Sequence, residues 1–506
     1  LKNGFAAAQK SFSLQGCSYY MMIKNKLLTS ILERRKTFYS PLANHFSPVM
    51  QRSRGVTGMR IGARICRWFG LMPAFFIVVS GVSAGEKVFT LDESIETALK
   101  QSALIRAAQE GVLGAEAQKK EAFTGFLPKL STSYSYTRFG DAPYLKSPAG
   151  TLSPLEINVP AGTQDYYSWA SEIKQPLFAG GGITANYEAS KIGFDISKME
   201  KAATTQDIVQ EVKVSYFNIL KSEKLLEVAK QSLEQLKAHL NVAQNFFDVG
   251  LIPRNDLLQS EVQLANGEQS LIRAENGVEL AKSKFNTVLR RNINDTVQVE
   301  DILAYQPKDL KIDDCIKAAL ENRPEIKSQA LKVDQAKSLV KLAKSDFYPT
   351  VNAVGHYEKV GDTPAVSGSA YKVQENWYLM GVASWTFWEW GKTKNRVDAS
   401  RSRENQSAAL LNNTKDQVAL EVKNAYLFLR ESEKQVTVTK KAIEQAEENF
   451  RINEERYREQ VATSTDVLDA HTLLTRAKSD YTNALSEYNI SYARLERAMG
   501  IIYSKK

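Results

Sequence analysis

The chain has 506 residues with 66 Lys+Arg against 57 Asp+Glu, a formal charge of +9. The length fits two to four ordinary domains, and the charge points to nucleic acid or an anionic surface. That partner class is excluded once the charge is located: residues 1–84 hold 12 of the bases and one acid, Glu33, leaving 54 bases against 56 acids, a net of −2.

Residues 1–58 are mixed, basic and aperiodic, and are read as a non-native or unstructured extension. Residues 59–84 carry the pattern of a secretory signal peptide. Met59 opens it, Arg60, Arg64 and Arg67 form the charged region, Leu71–Val79 the apolar run, and Val82-Ser83-Ala84 the cleavage site. The apolar run is too short for a transmembrane helix, which needs about 20 residues. The mature chain then starts near Gly85. Of Cys17, Cys66 and Cys315, only Cys315 survives cleavage, so no disulfide framework or Cys-based zinc site is available. His45, His239, His356 and His471 are scattered, with no pair at ligand spacing.

The rest is written twice. Residues 91–105 match 312–326 at an offset of 221, which also carries Phe126 to Phe347 and Pro128 to Pro349. Beyond the next loop the offset is 210: Phe178 falls on Trp388, Gly181 on Gly391, Tyr216 on Tyr426 and Asp256 on Asp466. The first structural repeat is 85–300 and the second 301–506. Each reads helix, strand, strand, long helix, turn, helix. In the first copy a helix spans 92–124. Strands follow at 129–137 and 166–177, separated by a Gly-, Pro- and Ser-rich loop at 141–165.

The long helix, from about Thr184 to Phe247, carries heptads: Val212, Ile219, Leu226, Leu233, Leu240 and Phe247, with mostly small residues between. Val422, Leu429, Val436, Ile443, Phe450 and Tyr457 repeat the scheme. Such heptads predict long, closely packed antiparallel helices. The first stops at Gly250, Pro253 follows, and a helix restarts over 254–291.

The strands alternate. Leu130, Thr132, Tyr134 and Tyr136 share one face of the first, and Tyr167, Trp169, Ile173 and Leu177 one face of the second. Val351, Ala353, Gly355 and Tyr357 do so in the third, and Trp377, Leu379, Ala383, Trp385 and Phe387 in the fourth. Period-2 segments with aromatic ends are the pattern of transmembrane β-barrel strands. Trp and Tyr suit the headgroup level, apolar in body and wet at the tip. Tyr134, Tyr136, Tyr167, Trp169, Trp377, Trp385, Trp388 and Trp390 are the candidate membrane belt, and WTFWEWGK (385–392) is read as a barrel strand turning into a helix at Gly391. A sugar-stacking platform needs those aromatics on a solvated face. A soluble β-sandwich core leaves the long heptad helices unexplained. Four strands cannot close a barrel, and open edges in lipid are costly, so the chain must oligomerise.

Here the sequence resembles the TolC family of outer-membrane efflux and secretion channels, over about residues 88–500. The duplicated plan carries the likeness, with the corners QPLFAGGG (175–182) and TFWEWGK (386–392) and the segment TSTDVLDAHTLL (463–474). The resemblance implies a membrane α+β fold: an outer-membrane β-barrel, four strands per protomer closed as a homotrimer, continuous with a long periplasmic α-helical barrel. A girdle would be built from 292–311 and the termini. It implies a passive conduit in the outer membrane of a Gram-negative bacterium, set in outer-membrane lipid. A periplasmic membrane-fusion adaptor and an inner-membrane pump of RND, ABC or MFS type would be its partners, for efflux or type I secretion. Asp256 and Tyr457 match the pair that ties the periplasmic tip, and Asp466 and Asp469 the acidic ring of its gate. An arginine of that tie falls at Ala462, so the link is absent or replaced, with Arg458 and Arg254 as nearby substitutes. Asp256 and Asp466 equally suit helix starts, where acids meet the helix dipole.

No nucleophile–base pair, phosphate loop or metal spacing appears, so neither an enzyme nor a cofactor is expected. A periplasmic coiled-coil adaptor without a pore, and a soluble helical enzyme with β-hairpin insertions, are the rival readings.

Overall fold

The computed structural model describes residues 88–503, apart from 148, 151–153, 156, 369–370, 372–373 and 502. The segments read as a signal peptide and as an extension before it lie outside the described residues. In chain order, β1 (Val88–Phe89) leads to α1 (Leu91–Gln101) and α2 (Ala103–Thr124). Then come β2 (Lys129–Arg138), β3 (Tyr144–Ser147), β4 (Ile157–Pro160) and β5 (Asp165–Ala179), followed by α3 (Gly182–Asp248) and α4 (Arg254–Leu289). After β6 (Gln298–Val299) the order is α5 (Ile312–Asn322), α6 (Pro324–Ser345), β7 (Thr350–Gly361), β8 (Glu375–Ser384), α7 (Lys392–Arg458) and α8 (Ser464–Ala498).

The two long helices have 67 residues each, about 100 Å at 1.5 Å per residue. Burial follows the heptads: Val212, Ile219, Leu233, Val422, Leu429 and Val436 are buried along the seams. Two apolar cores result. One gathers Phe89, Ile95, Val212, Tyr216, Ile219, Phe285 and Leu289 from β1, α1, α3 and α4. The other gathers Cys315, Ala319, Val422, Leu429, Tyr488 and Leu495 from α5, α7 and α8. Around the first, β1 and β6 pair in parallel, and the Tyr216 hydroxyl lies 3.1 Å from Phe89 O and 2.8 Å from Glu300 O. At the corresponding place Tyr426 Oη donates to Leu310 O.

The sequence predicts one helix over 92–124, but Ser102 divides it. Its extended backbone (ψ 124°) ends α1, and its hydroxyl accepts from Ile105 N to start α2. Arg323, with the same dihedrals within a few degrees, divides α5 from α6 ahead of Pro324. The buried Arg323 guanidinium pairs with Glu325 and Glu421, while buried Arg497 reaches Asp207 and Glu325. Glu325 thus ties the end of α8 to the break before α6.

The main sheet is antiparallel in the order β2-β5-β7-β8. Its register puts the predicted apolar faces side by side: Tyr134 opposes Trp169, Tyr136 opposes Tyr167, and Tyr357 opposes Trp377. The segment read as a loop over 141–165 contains the β3–β4 hairpin. A second correction concerns WTFWEWGK. Strand β8 ends at Ser384, opposite Thr350, where β7 begins. With no further β7 residue to pair, 385–388 leave the sheet.

Both strand-to-helix corners use left-handed backbone. Gly180 and Gly181 have φ of 59° and 82°, and Trp390 and Gly391 have φ of 50° and 81°. Glycine adopts this conformation freely, whereas an L side chain pays for it.

Candidate functional site: aromatic belt and helical tip

One face of the sheet is apolar and open. Leu130, Trp377 and Leu379 are each about three-quarters exposed, although their alternation in the sequence is that of a buried face. Aromatics cluster at the loop end, where Tyr136 stacks on Tyr167 at 4.8 Å and Trp169 meets Tyr357 edge-on at 5.8 Å. Their polar ends are occupied: Tyr134 Oη donates to Pro364 O, Tyr136 Oη to Asp165, and Trp169 Nε1 to Thr132 Oγ1. At the helix end Trp385 packs near Phe387, and Trp388 meets Trp390 at 5.7 Å. Trp385 Nε1 donates to Phe347 O. The second tryptophan group stands beyond the strand rather than in it, on the corner that starts α7.

At the opposite end the four helices α3, α4, α7 and α8 turn within a few residues of one another. Thr463 caps α8: its hydroxyl accepts from Asp466 N, and the Asp466 carboxylate accepts from Thr463 N at 2.9 Å. The Thr463 backbone N–H and hydroxyl hold the Asp466 carboxyl below the usual carboxylate range. Asp469 is exposed one turn on, so the predicted i, i+3 pair does share an open face. Asp256 lies in the first turn of α4. Tyr457, by contrast, is buried near the end of α7, its ring 5.0 Å from His239 and 5.5 Å from Phe246. Its hydroxyl has no hydrogen-bond partner among the described residues. Burial, followed by the Asp256 charge, pushes the Tyr457 phenol up, and Ser464 partly opposes this. Asp256 and Tyr457 are therefore neighbours that are not hydrogen-bonded within one chain. Arg458, a suggested substitute for the missing link, is committed to Glu454 at 2.7 Å.

Sequence reasoning missed the polar groups beneath this surface. His239 Nε2 is 2.9 Å from Ser464 Oγ, which is 3.1 Å from Ser260 Oγ, which in turn donates to Asp256 O. Two turns deeper, His471 Nε2 sits 3.2 Å from both the hydroxyl and the carbonyl oxygen of Ser232. Burial pushes the His239 imidazole down to about 4, with His471 adding to the effect. Burial lowers His471 as well. The available signal was a histidine beside heptad position Leu240, on a helix whose other seam residues are apolar or small.

Among the described residues no helix is long and apolar enough to cross a membrane, and no three acidic, His or Cys side chains gather as metal ligands. The features that remain are a sheet with one open aromatic face, set on long paired helices that end in a polar tip. They fit the chain of an outer-membrane channel. The family described as outer membrane efflux protein matches residues 94–285 and 315–501, and the chain belongs to it. Outer membrane protein TolC of Escherichia coli (strain K12) is 22% identical over 400 residues, 69% of this chain and 80% of that one. Nodulation protein T of Rhizobium leguminosarum bv. trifolii is 20% identical over 432 residues, 82% and 86% of the two chains. In structure, the chain is similar to the Campylobacter jejuni CmeC outer membrane channel, with a TM-score of 0.67 at 20% identity. That likeness covers 81% of this chain and 85% of the other. The protein is an outer-membrane efflux channel.

Proposed function

We propose that three copies of this chain close their sheets into one 12-strand barrel in outer-membrane lipid. Their helices continue it as a conduit through the periplasm of a Gram-negative bacterium. The observation that carries this reading is the sheet itself: one exposed apolar face and two unpaired edges, β2 and β8. In hydrocarbon each unpaired backbone group costs several kcal/mol, and closure with further copies removes the edges. Trp377 and Trp385 are eight residues apart, about 26 Å along an extended chain. At a strand tilt of about 40° this is about 20 Å along the membrane normal, of the order of the apolar band of an outer-membrane barrel. Exposed Leu420, Leu427, Phe428 and Val438 on α7 supply an apolar seam for a neighbouring copy. The paired 67-residue helices and the matched corners at 180–181 and 390–391 support descent from a tandem duplication.

The conduit is passive and not an enzyme. Energy comes from an inner-membrane pump coupled through a periplasmic adaptor that meets the tip. The gate is the tip, where Asp466 and Asp469 from three copies surround one opening and Asp256 and Tyr457 belong to the links that hold the helices around it. The negative charge of such a carboxylate ring favours cations. The test is conductance of the detergent-purified protein in planar bilayers, wild type beside an Asp256→Ala/Tyr457→Phe variant. Small cation-preferring channels that enlarge in the variant are expected. Folded protein that is soluble without detergent and forms no channels overturns the conduit.

A further inference from the structure

The pair matched at Asp256 and Tyr457 is not hydrogen-bonded within a chain, and the position of the expected arginine is Ala462. A buried group does connect the helices there. Ser464, fully buried at the first turn of α8, touches His239 on α3 and Ser260 on α4. The Tyr457 ring of α7 packs against the same imidazole, tilted by 44°. We propose that Ser464 is the latch residue of the tip, holding α3, α4 and α8 together through the relay His239–Ser464–Ser260, and that charging His239 releases it. The inference rests on the reading of the tip as the gate.

The direction of the relay follows from counting hydrogens. Ser260 has one hydroxyl proton and donates it to Asp256 O, so its oxygen accepts from Ser464. Ser464 has then used its own proton and must accept from His239, which places the proton of the neutral ring on Nε2. An added proton goes to Nδ1 and makes the ring a cation.

The titratable groups facing the imidazole are few: Tyr457 from α7, His471 from α8, and Asp256 from α4 by way of Tyr457. None is an acid in contact with the ring, and His471 adds positive charge when protonated. A buried cation with no paired anion is strongly disfavoured, so acid favours any arrangement that lets the ring reach water. The sign is definite. The imidazole is held at about 4 in the packed tip, against about 6.5 for a solvated one. Proton binding therefore favours release as pH falls below about 6.5, and the gain levels off below the packed value. At about pH 5 the ratio of released to packed tips rises about 20-fold per protomer over its value at about pH 7.

The test uses the full purified channel in planar bilayers at about pH 7.5 and about pH 5, with four forms. Wild type is expected to be mostly closed at the higher pH and to open at the lower. His239→Gln keeps an N–H for Ser464 but cannot titrate in this range, so it stays closed at both. Ser464→Ala breaks the relay and raises the ratio of open to closed tips about 30-fold at neutral pH, the worth of two hydrogen bonds. Ser464→Thr restores the hydroxyl and the wild-type profile. A His239→Gln channel that opens in acid as wild type does overturns the proposal, as does a Ser464→Ala channel as closed as wild type at neutral pH. Wild-type protein that is folded yet forms no channels at either pH overturns the conduit reading, and the latch with it. Channels whose variants all match wild type overturn the latch alone.

Discussion

Gly180 and Gly181 offer a sharp test of how the strand-to-helix corner is built. Both have left-handed backbone, so alanine at either pays about 1–2 kcal/mol for its Cβ. Their surroundings differ. A Cβ on Gly181 meets nothing within 4 Å, while one on Gly180 comes to 2.5 Å from Ser345 O and 2.9 Å from the Tyr348 Cβ. Comfortable contact is about 3.5–4.0 Å, so the end of α6 must retreat by about 1 Å. Overpacking of that kind adds about 1–3 kcal/mol. Gly181→Ala should therefore cost about 1 kcal/mol and Gly180→Ala about 3 kcal/mol. The other corner supplies the control. Trp390 holds the same backbone conformation as Gly180, but its side chain is 88% exposed, so Trp390→Gly should relieve about 1 kcal/mol of backbone cost. The assay is the thermal midpoint of the detergent-solubilised protein at one scan rate, together with the yield of assembled protein. Equal losses for the two glycine variants would refute the reasoning, because the shared conformational cost cancels and only the close approach separates them.

Three further outcomes are expected. Thr463→Ala removes the cap of α8 and should cost about 1 kcal/mol, read as faster amide exchange over residues 464–467 with the rest of α8 unaffected. Tyr216→Phe takes away the hydroxyl that reaches Phe89 O and Glu300 O; about 1–2 kcal/mol of thermal stability should go with it, and amide exchange of β1 and β6 should quicken. The third concerns Glu325, which burial pushes up but which the Arg497 hydrogen bond and charge bring below its usual 4.5 on balance. A carboxyl lowered in the folded state stabilises above its unfolded value and loses that contribution as pH falls through the folded one. Glu325→Gln should therefore flatten the acid limb of the melting profile below about pH 4.5, and an unchanged limb would assign acid sensitivity elsewhere.

Much of the architecture was legible because it is periodic. Heptads from Val212 to Phe247 predicted a helix over Thr184–Phe247, and α3 runs Gly182–Asp248. Alternation at Leu130, Thr132, Tyr134 and Tyr136 gave the open face of β2, which the register with β5 bears out. What escaped was decided by single residues or by pairing. Ser102 interrupts a helical pattern by capping, and nothing around it breaks the periodicity. The end of β8 is set by where β7 begins, which the Trp-rich segment does not encode. The tip was half legible. Asp466 and Asp469 were found as a face, while His239, Ser260 and Ser464 come from three helices and share no spacing. Only packing brings them together.

The two apolar cores are built within a single chain, whereas among the described residues the sheet has an unmet edge on either side. In the proposed trimer this sets an order for biogenesis. The two helical cores can form within one chain before lipid is encountered, but the strand edges, and the apolar seam of α7, find partners only when neighbouring copies arrive. On that reading insertion is coupled to stoichiometry. A lone copy would be penalised by its own backbone, so leaky partial barrels would be discouraged without any separate quality-control device.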